Sequence, residues 1–423
     1  MFAVLALAGL AACTPSGGAP TTETAERAAT SAAPTDAPTD DLTDAPTGAL
    51  TDAPTDTLTA APTNASPGAT ATAVATLTPA PTPTIPTDTV VERGVALPGF
   101  SVTVYGQVFR PTALTFGPDG TLYVASTEAV VYALSDTDGD RRADMNTPFV
   151  RGVKVPLGLL WVDDQLYVSH NELGDGRVIA FADRDGDGRA ETQTEIVAGL
   201  PSDGRHQNDD LVLGPDGYIY LGMGSTCDVC VEANARSAAI LRFKPDGSDL
   251  SVYARGLRNP YGLAFNAAGD LFATDNGRDD LGRESPPEEL NHIVSGGDYG
   301  WPTCYVGATE PACNTAVPPI ATFTPRSSAD GLVFYNGDVF PEAYRDDAFV
   351  AVLGSYVYID LERGVAHVPI VKVGDAYTAG EPEWLLKLVT QGRPLDVTVG
   401  PDGALYVADY EMGEILRINY GRP

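Results

Sequence analysis

His206 stands in the stretch Pro-Ser-Asp-Gly-Arg-His-Gln-Asn-Asp-Asp, immediately ahead of an apolar run that begins at Leu211. A neutral imidazole in such a place can act as a general base near pH 7. Arg258 and Asn259 hold the matching place ahead of a later run at Leu263, and Arg393 the same place ahead of Val397. Between them, Asp275 is followed by Asn276, Gly277, Arg278, Asp279 and Asp280, at the start of about twenty polar or Gly/Pro residues that read as a long loop. Guanidinium, carboxylate and glycine backbone together suit a bound cation beside an anionic ligand. If these segments converge, three guanidiniums and one imidazole make an anion site.

Two acidic runs are a second candidate chemistry. Asp136, Asp138, Asp140 and Asp144, and then Asp183, Asp185, Asp187 and Glu191, place carboxylates at positions one, three, five and nine, as in calcium loops. Neither run has the bidentate glutamate at position twelve, so an acidic hairpin turn is the alternative. Of the five cysteines, four lie in two close pairs, Cys227 with Cys230 and Cys304 with Cys313. In an exported chain these read as two local disulfides, with a zinc site as the alternative use of the same sulfurs. The other three histidines read as structural: His170 at the end of a strand, His292 in the long loop, and His367 in an alternating strand.

The elements that must position these residues are strands. From about residue 95 to 423 one unit recurs: an apolar strand, a Gly-Pro-Asp-Gly turn and an alternating strand. It is plain at Leu114, Leu211 and Val397, and weaker at Leu159, Leu263 and Asp346. Successive copies lie roughly 45 to 65 residues apart, the length of a four-stranded blade with its loops. Six copies predict an all-β, six-bladed β-propeller, with the strand from Phe100 to Val108 completing the last blade. Equivalent positions in a propeller converge on one face, so His206, Arg258, Asn259, Asn276, Gly277, Arg278 and Arg393 are expected around one channel mouth. Inter-blade salt bridging is the bland alternative for Arg258 and Arg393, and a surface loop for His206 alone.

Ahead of the propeller, Phe2 to Ala12 is an apolar run too short to span a bilayer, and it ends at Cys13. Residues 1–13 therefore read as a lipoprotein signal peptide with Cys13 as the acylated residue. Residues 14–88 are Thr, Pro, Ala and Asp with no aromatic side chain, a composition that builds no core and serves as a disordered linker. The chain is expected outside the cytoplasm, lipid-anchored to a bacterial membrane. A net charge of -31 excludes nucleic acid as a partner.

The segments HQNDDLVLGPDGYIYLGMGSTCDVC, RGLRNPYGLAF, DNGRDD, PPEELN, GGDYGWP and GRPLDVTVGPDG resemble the glucose/sorbosone dehydrogenases, the sorbosone branch in particular. The resemblance covers nearly all of residues 95–423 and implies a quinoprotein propeller that uses pyrroloquinoline quinone and calcium. It implies a dehydrogenase that oxidises a sugar or related alcohol or aldehyde and passes electrons to an external acceptor. By it, His206 is the general base, Arg258 stands beside the quinone oxygen, and Asn259, Asn276 and Arg393 contact the cofactor. The main-chain carbonyls of Gly277 and Arg278 become the calcium ligands. The chain departs from the family pattern at Ser225, at Leu395, and across Leu353 to Tyr358, where a basic cofactor contact is replaced. A calcium-dependent propeller lactonase, and a non-catalytic carbohydrate- or protein-binding propeller that has lost its cofactor, are the rival readings.

Overall fold

A computed structural model describes residues 93–421. The expected signal peptide with Cys13 and the linker at 14–88 lie outside the described residues. Helix is confined, among the described residues, to two short 3-10 turns, and no helix there is long and apolar enough to cross a membrane.

The described residues open with β1 (Gly94–Ala96) and β2 (Phe100–Gln107) and then lay down six sheets in order. Blade 1 is β3 (Pro111–Phe116), β4 (Leu122–Ser126), β5 (Val130–Ser135) and β6 (Met145–Arg151). Blade 2 is β7 (Gly158–Val162), β8 (Gln165–Glu172), β9 (Asp175–Ala182) and β10 (Thr192–Pro201). Blade 3 is β11 (Asn208–Leu213), β12 (Ile219–Met223), β13 (Ala239–Phe243) and β14 (Ser251–Arg255). Blade 4 is β15 (Leu263–Phe265), β16 (Leu271–Asp275), β17 (Glu288–Ile293) and β18 (Ala321–Phe323). Blade 5 is β19 (Ala329–Phe334), β20 (Ala348–Val352), β21 (Arg363–Val368) and β24 (Glu383–Leu388), with the hairpin β22 (Ile370–Val373) and β23 (Ala376–Ala379) between the last two. Blade 6 is β25 (Pro394–Val399), β26 (Leu405–Asp409) and β27 (Glu414–Tyr420), and its fourth strand is β2. The six-bladed, all-β architecture and its closure by the first long strand are as the repeat predicts. Two features were not expected from the sequence: β1 adds a fifth strand to blade 5 along β24, and the PPEELN segment is not loop but leads into β17. His292 accordingly lies in β17 rather than in the long loop, which ends before Glu288.

Each recurring turn joins the innermost strand of a blade to the second. In blade 1 the Gly117 amide bonds the Thr121 carbonyl at 2.8 Å, Asp119 Oδ1 accepts from the Thr121 amide, and Gly120 takes φ +85°, which favours glycine. Alternation along the strands sends apolar side chains to both faces of each sheet, and every face is covered by the neighbouring blade. The buried clusters therefore lie between blades: Leu159, Leu166 and Val168 pack on Tyr123, Ala125 and Val131, and the pattern continues round to Leu114, Leu122 and Val124 against Tyr406 and Ala408. The innermost strands β3, β7, β11, β15, β19 and β25 adjoin one another in ring order. Carboxylates stitch the ring: Asp210 Oδ2 accepts from the Leu263 amide at 3.2 Å, and Asp396 Oδ2 from the Leu114 amide at 2.7 Å. His367 is structural, its Nε2 lying 2.8 Å from Asp347 and its Nδ1 3.1 Å from Glu383.

Candidate active site

His206, Arg258, Asn259, Asn276 and Gly277 line one cavity of about 310 Å3 on the face where the segments preceding the innermost strands meet. Each is placed by the repeat. Asp275, the last residue of β16, accepts from the Asn259 amide through Oδ1 at 2.6 Å and from the Arg258 amide through Oδ2 at 3.0 Å. In blade 6 Asp409, the last residue of β26, holds the Arg393 amide at 2.8 Å in the same manner. The strand-ending aspartates thus fix the main chain that carries each arginine.

His206 is 3% exposed. Burial, then the nearby Arg258 and Arg205 guanidiniums, hold its pKa well below the ordinary histidine value, so the ring is neutral at pH 7. Its Nδ1 lies 2.9 Å from Ser225 Oγ and 3.2 Å from the Ser225 carbonyl. Ser225 Oγ itself donates to the Cys227 carbonyl at 2.7 Å, so its oxygen is an acceptor toward the ring. The proton therefore sits on Nδ1, and the Nε2 lone pair is the open acceptor of a residue that lines the cavity. Gly224 makes the approach of His206 to Asn259 possible: a Cβ there would lie 2.3 Å from the His206 Cβ and 2.8 Å from Asn259 Oδ1.

Arg258 is 3% exposed, and its guanidinium is held on three sides. Nη1 donates to the Asn276 carbonyl at 3.0 Å, Nη2 to Asp228 Oδ1 at 2.7 Å and Asp279 Oδ2 at 3.1 Å, and Nε to the Asp228 carbonyl at 3.3 Å. One Nη1 proton remains for a ligand. Burial acts to raise the Asp228 carboxyl, but the Asp279 amide and Arg258 outweigh it and hold the pKa below the usual range. Asp279 in turn accepts from Arg205, Arg258 and Arg326. Below about pH 7, where Glu288 keeps its proton, three guanidiniums face two carboxylates, which leaves positive charge for an anion. Buried acceptors are spare as well: Asn259 Oδ1 and Asn276 Oδ1 have no hydrogen-bond partner, although Asn276 Nδ2 donates to Asp330 Oδ1 at 2.8 Å.

Two expected site residues stand differently. Arg393 is buried, donates through Nη1 to the Leu353 carbonyl at 3.2 Å, and lies under the Tyr356 ring at 4.0 Å. Tyr356, Val357 and Tyr358 line the cavity where the sequence motif loses its basic residue, so Tyr356 stands over Arg393. Arg278 turns its side chain to Asp280 and to the Pro302 carbonyl, and its own carbonyl accepts from Arg326 Nη1.

Four cavity residues were not expected to have a role of their own in the site: Arg205, Asp279, Glu288 and Arg326. Glu288 Oε2 accepts from the Gly277 amide at 2.6 Å, and burial pushes its pKa up to about 7 against that bond and Arg258. The quoted segments PPEELN and DNGRDD contain two of the four, which marks them without giving a role.

Both cysteine pairs close as disulfides, Cys227–Cys230 and Cys304–Cys313. The first surrounds Asp228 and so steadies the partner of Arg258. The acidic runs lie far out on blades 1 and 2, between β5 and β6 and between β9 and β10. Asp183, Asp185, Asp187 and Glu191 converge, and so do Asp136, Asp138 and Asp144, but Asp140 stands apart from that group. Their oxygens already take backbone amides, as Asp136 does from Gly139 at 2.8 Å and Arg141 at 3.0 Å, which is the hairpin-turn geometry.

Residues 125–416 match the family described as Domain of unknown function (DUF7133). Over 138 residues the chain is 32% identical to quinoprotein glucose dehydrogenase B of Acinetobacter calcoaceticus, covering 25% of this chain and 28% of that one. Over 246 residues it is 24% identical to the aldose sugar dehydrogenase YliI of Escherichia coli, covering 52% and 61%. The chain thus spans less than two thirds of these relatives in the matched stretches. Among solved structures, the PQQ-bound form of aldose sugar dehydrogenase from Streptomyces coelicolor has a TM-score of 0.58 at 23% identity, covering 77% of this chain and 99% of that one. The calcium structure of a Trichoderma reesei enzyme of carbohydrate-active family AA12 has a TM-score of 0.66 at 18% identity, covering 79% and 98%. The likeness to soluble sugar dehydrogenases read from the motifs is found again in both comparisons, and neither singles out the sorbosone branch.

Proposed function

From a chain that belongs to the DUF7133 family and shares its propeller with sugar dehydrogenases, we propose a quinone-dependent oxidoreductase that oxidises a sugar or related alcohol or aldehyde. The observation that carries this reading is a buried, neutral His206 with its Nε2 lone pair open, in one cavity with the Arg258 guanidinium. The relatives' names supply the class of cofactor and substrate.

The cavity's chemistry fits a pyrroloquinoline quinone. Its surplus guanidinium charge suits a polycarboxylate, and the unpartnered Asn259 and Asn276 oxygens suit N–H or O–H donors on a ligand. Arg258, Asn259 and Asn276 would hold it, with Arg393 behind Tyr356 as a further cation. When bound, the quinone supplies the acceptor for the hydride that leaves the substrate carbon. His206 Nε2 takes the proton of the substrate hydroxyl, and the Nδ1 bond to Ser225 keeps the ring oriented as it becomes charged. Arg258, with one Nη1 proton free, would donate to a ligand oxygen beside it and stabilise negative charge there. An external acceptor would then be needed to take the electrons and renew the oxidised cofactor.

Calcium at the Gly277 and Arg278 carbonyls is less well served, because the Arg278 carbonyl is engaged by Arg326. The lactonase reading needs side-chain ligands, and the convergent metal-ligating groups among the described residues lie elsewhere than this cavity. One observation favours the binding-only reading: Tyr356 presents an aromatic ring over Arg393, as a sugar platform would.

The deciding experiment titrates the apo-protein with pyrroloquinoline quinone and then follows reduction of an artificial electron acceptor with a panel of aldoses. Quinone binding and sugar-dependent reduction are expected. Aldose binding without quinone binding would move the protein to the binding-only reading.

A further inference from the structure

We propose that the Arg326 guanidinium is the built-in cation of this cavity. It stands where a divalent ion would otherwise join the loop carbonyls, so that the anionic ligand binds without calcium. The inference rests on the quinone reading for the identity of the ligand, but not for who occupies the loop.

Arg326 lies just ahead of β19, in the entry segment of blade 5 as Arg258 and Arg393 lie in those of blades 4 and 6, and its side chain is 6% exposed. It reaches back across the loop at 276–287 and gathers oxygens from it. Nη1 donates to the Arg278 carbonyl and to Asp279 Oδ1, the latter at 3.0 Å. Nη2 donates to the Gly282 carbonyl at 2.6 Å and the Ser285 carbonyl at 2.9 Å, and Nε also reaches the Gly282 carbonyl, at 2.7 Å. Three main-chain carbonyls and one carboxylate form the oxygen donor set that a hard cation such as calcium collects. Here a planar guanidinium takes all of it through its fork of N–H donors. The same residue lines the cavity with His206 and Arg258, so its charge faces the ligand as well as the loop. A calcium ion on the Arg278 carbonyl would share that oxygen's lone pairs with a fixed positive group and be repelled by it. Guanidinium and metal are therefore alternatives at this position.

The test uses the full chain stripped of metal, titrated with pyrroloquinoline quinone in chelator and in calcium buffer, with binding read from the quinone absorbance. The wild-type dissociation constant is expected to differ by less than about twofold between buffers. Arg326→Ala is expected to lose about tenfold or more in chelator, the worth of a charge-assisted contact, and to recover on adding calcium. A wild-type affinity that falls about tenfold in chelator overturns the proposal. Equilibrium dialysis with radioactive calcium, without quinone, reads occupancy of the loop directly. Arg326→Ala should bind one more calcium per chain than the wild type, and equal stoichiometry overturns the proposal. Arg326→Gln, neutral but still hydrogen-bonding, repeats both arms if circular dichroism shows the alanine variant unfolded. Quinone that fails to bind in either buffer sinks the quinone reading alone, and the calcium stoichiometry still decides the role of Arg326.

Discussion

Ser225 decides which nitrogen of His206 is free. Its hydroxyl proton goes to the Cys227 carbonyl, and this forces the imidazole proton onto Nδ1. His206→Ala is expected to lower kcat by about 10²- to 10⁴-fold, the usual worth of a positioned base, with thermal stability little changed. Ser225→Ala removes only the orienting bond, and a loss of about tenfold in kcat with KM nearly constant is expected from steady-state rates. Because the folded-state pKa of His206 lies well below 6.5, the base stays unprotonated through neutral pH and the acid limb of kcat/KM should fall below pH 6.5. Glu288 acts in the opposite sense. It carries its proton up to about pH 7, and above that it sets a new negative charge in the cavity. Affinity for an anionic quinone should therefore weaken above pH 7, and Glu288→Gln should flatten that limb when binding is followed against pH. The sequence made His206, Arg258 and Asn259 legible because each precedes a repeated strand at an equivalent place. Glu288 was not legible because its role is a bond to the loop at 276–287, and Arg326 because blade 5 lacks the Gly-Pro-Asp-Gly turn that would mark its first strand.

At the scale of elements, the loop between β12 and β13 is the support of Arg258. The Cys227–Cys230 bridge encloses Asp228, which takes the Arg258 guanidinium and the Asp279 amide at 2.9 Å. A bridge over so short a loop restricts the unfolded chain little, about 2 kcal/mol in the loop-entropy account. The double variant Cys227→Ser, Cys230→Ser is thus expected to lose only a few degrees of Tm by calorimetry. Its affinity for the quinone should fall by about tenfold, because Asp228 is no longer fixed. Equal affinity in the variant and the wild type would mean that the bridge serves the fold alone. The strands themselves were readable, since Gly-Pro-Asp-Gly turns need a glycine in the left-handed region and an aspartate to cap it. β17 was missed because Pro286 and Pro287 read as loop while two glutamates follow them. In the fold Glu288 is satisfied by the Gly277 amide and Glu289 by Asn291, the first buried and the second half-buried. β1, three residues long, has too little pattern to be read at all.

For the whole molecule, the buried carboxyls set the response of stability to pH. Burial raises Asp275 and Glu288 to about 7 and Glu289 to about 8, far above their unfolded values near 4. The folded chain therefore holds more protons than the unfolded chain between about pH 4 and pH 8, and stability is lost as pH rises through that window. Self-repulsion of a chain with net charge -31 works in the same direction. Thermal unfolding should give a Tm higher at pH 5 than at pH 8 by about 5 °C or more. A flat or rising Tm over that range would mean that these carboxyls are ionised in the fold. The number of blades was legible because the repeat counts them. The packing between blades was not, since no single repeat contains both halves of any cluster.

The strand that closes the ring is the first long one among the described residues and the last of them to find its place. β2 pairs with β27 from Phe100↔Tyr420 to Gln107↔Glu414. Until β27 emerges from the ribosome, the alternating strand Phe100 to Gln107 has no native neighbour in its own blade. Such a pairing is among the slowest contacts a chain can form, and a waiting strand invites edge-to-edge association with other copies. Whatever holds the nascent chain apart during synthesis must therefore protect β2 until β27 arrives.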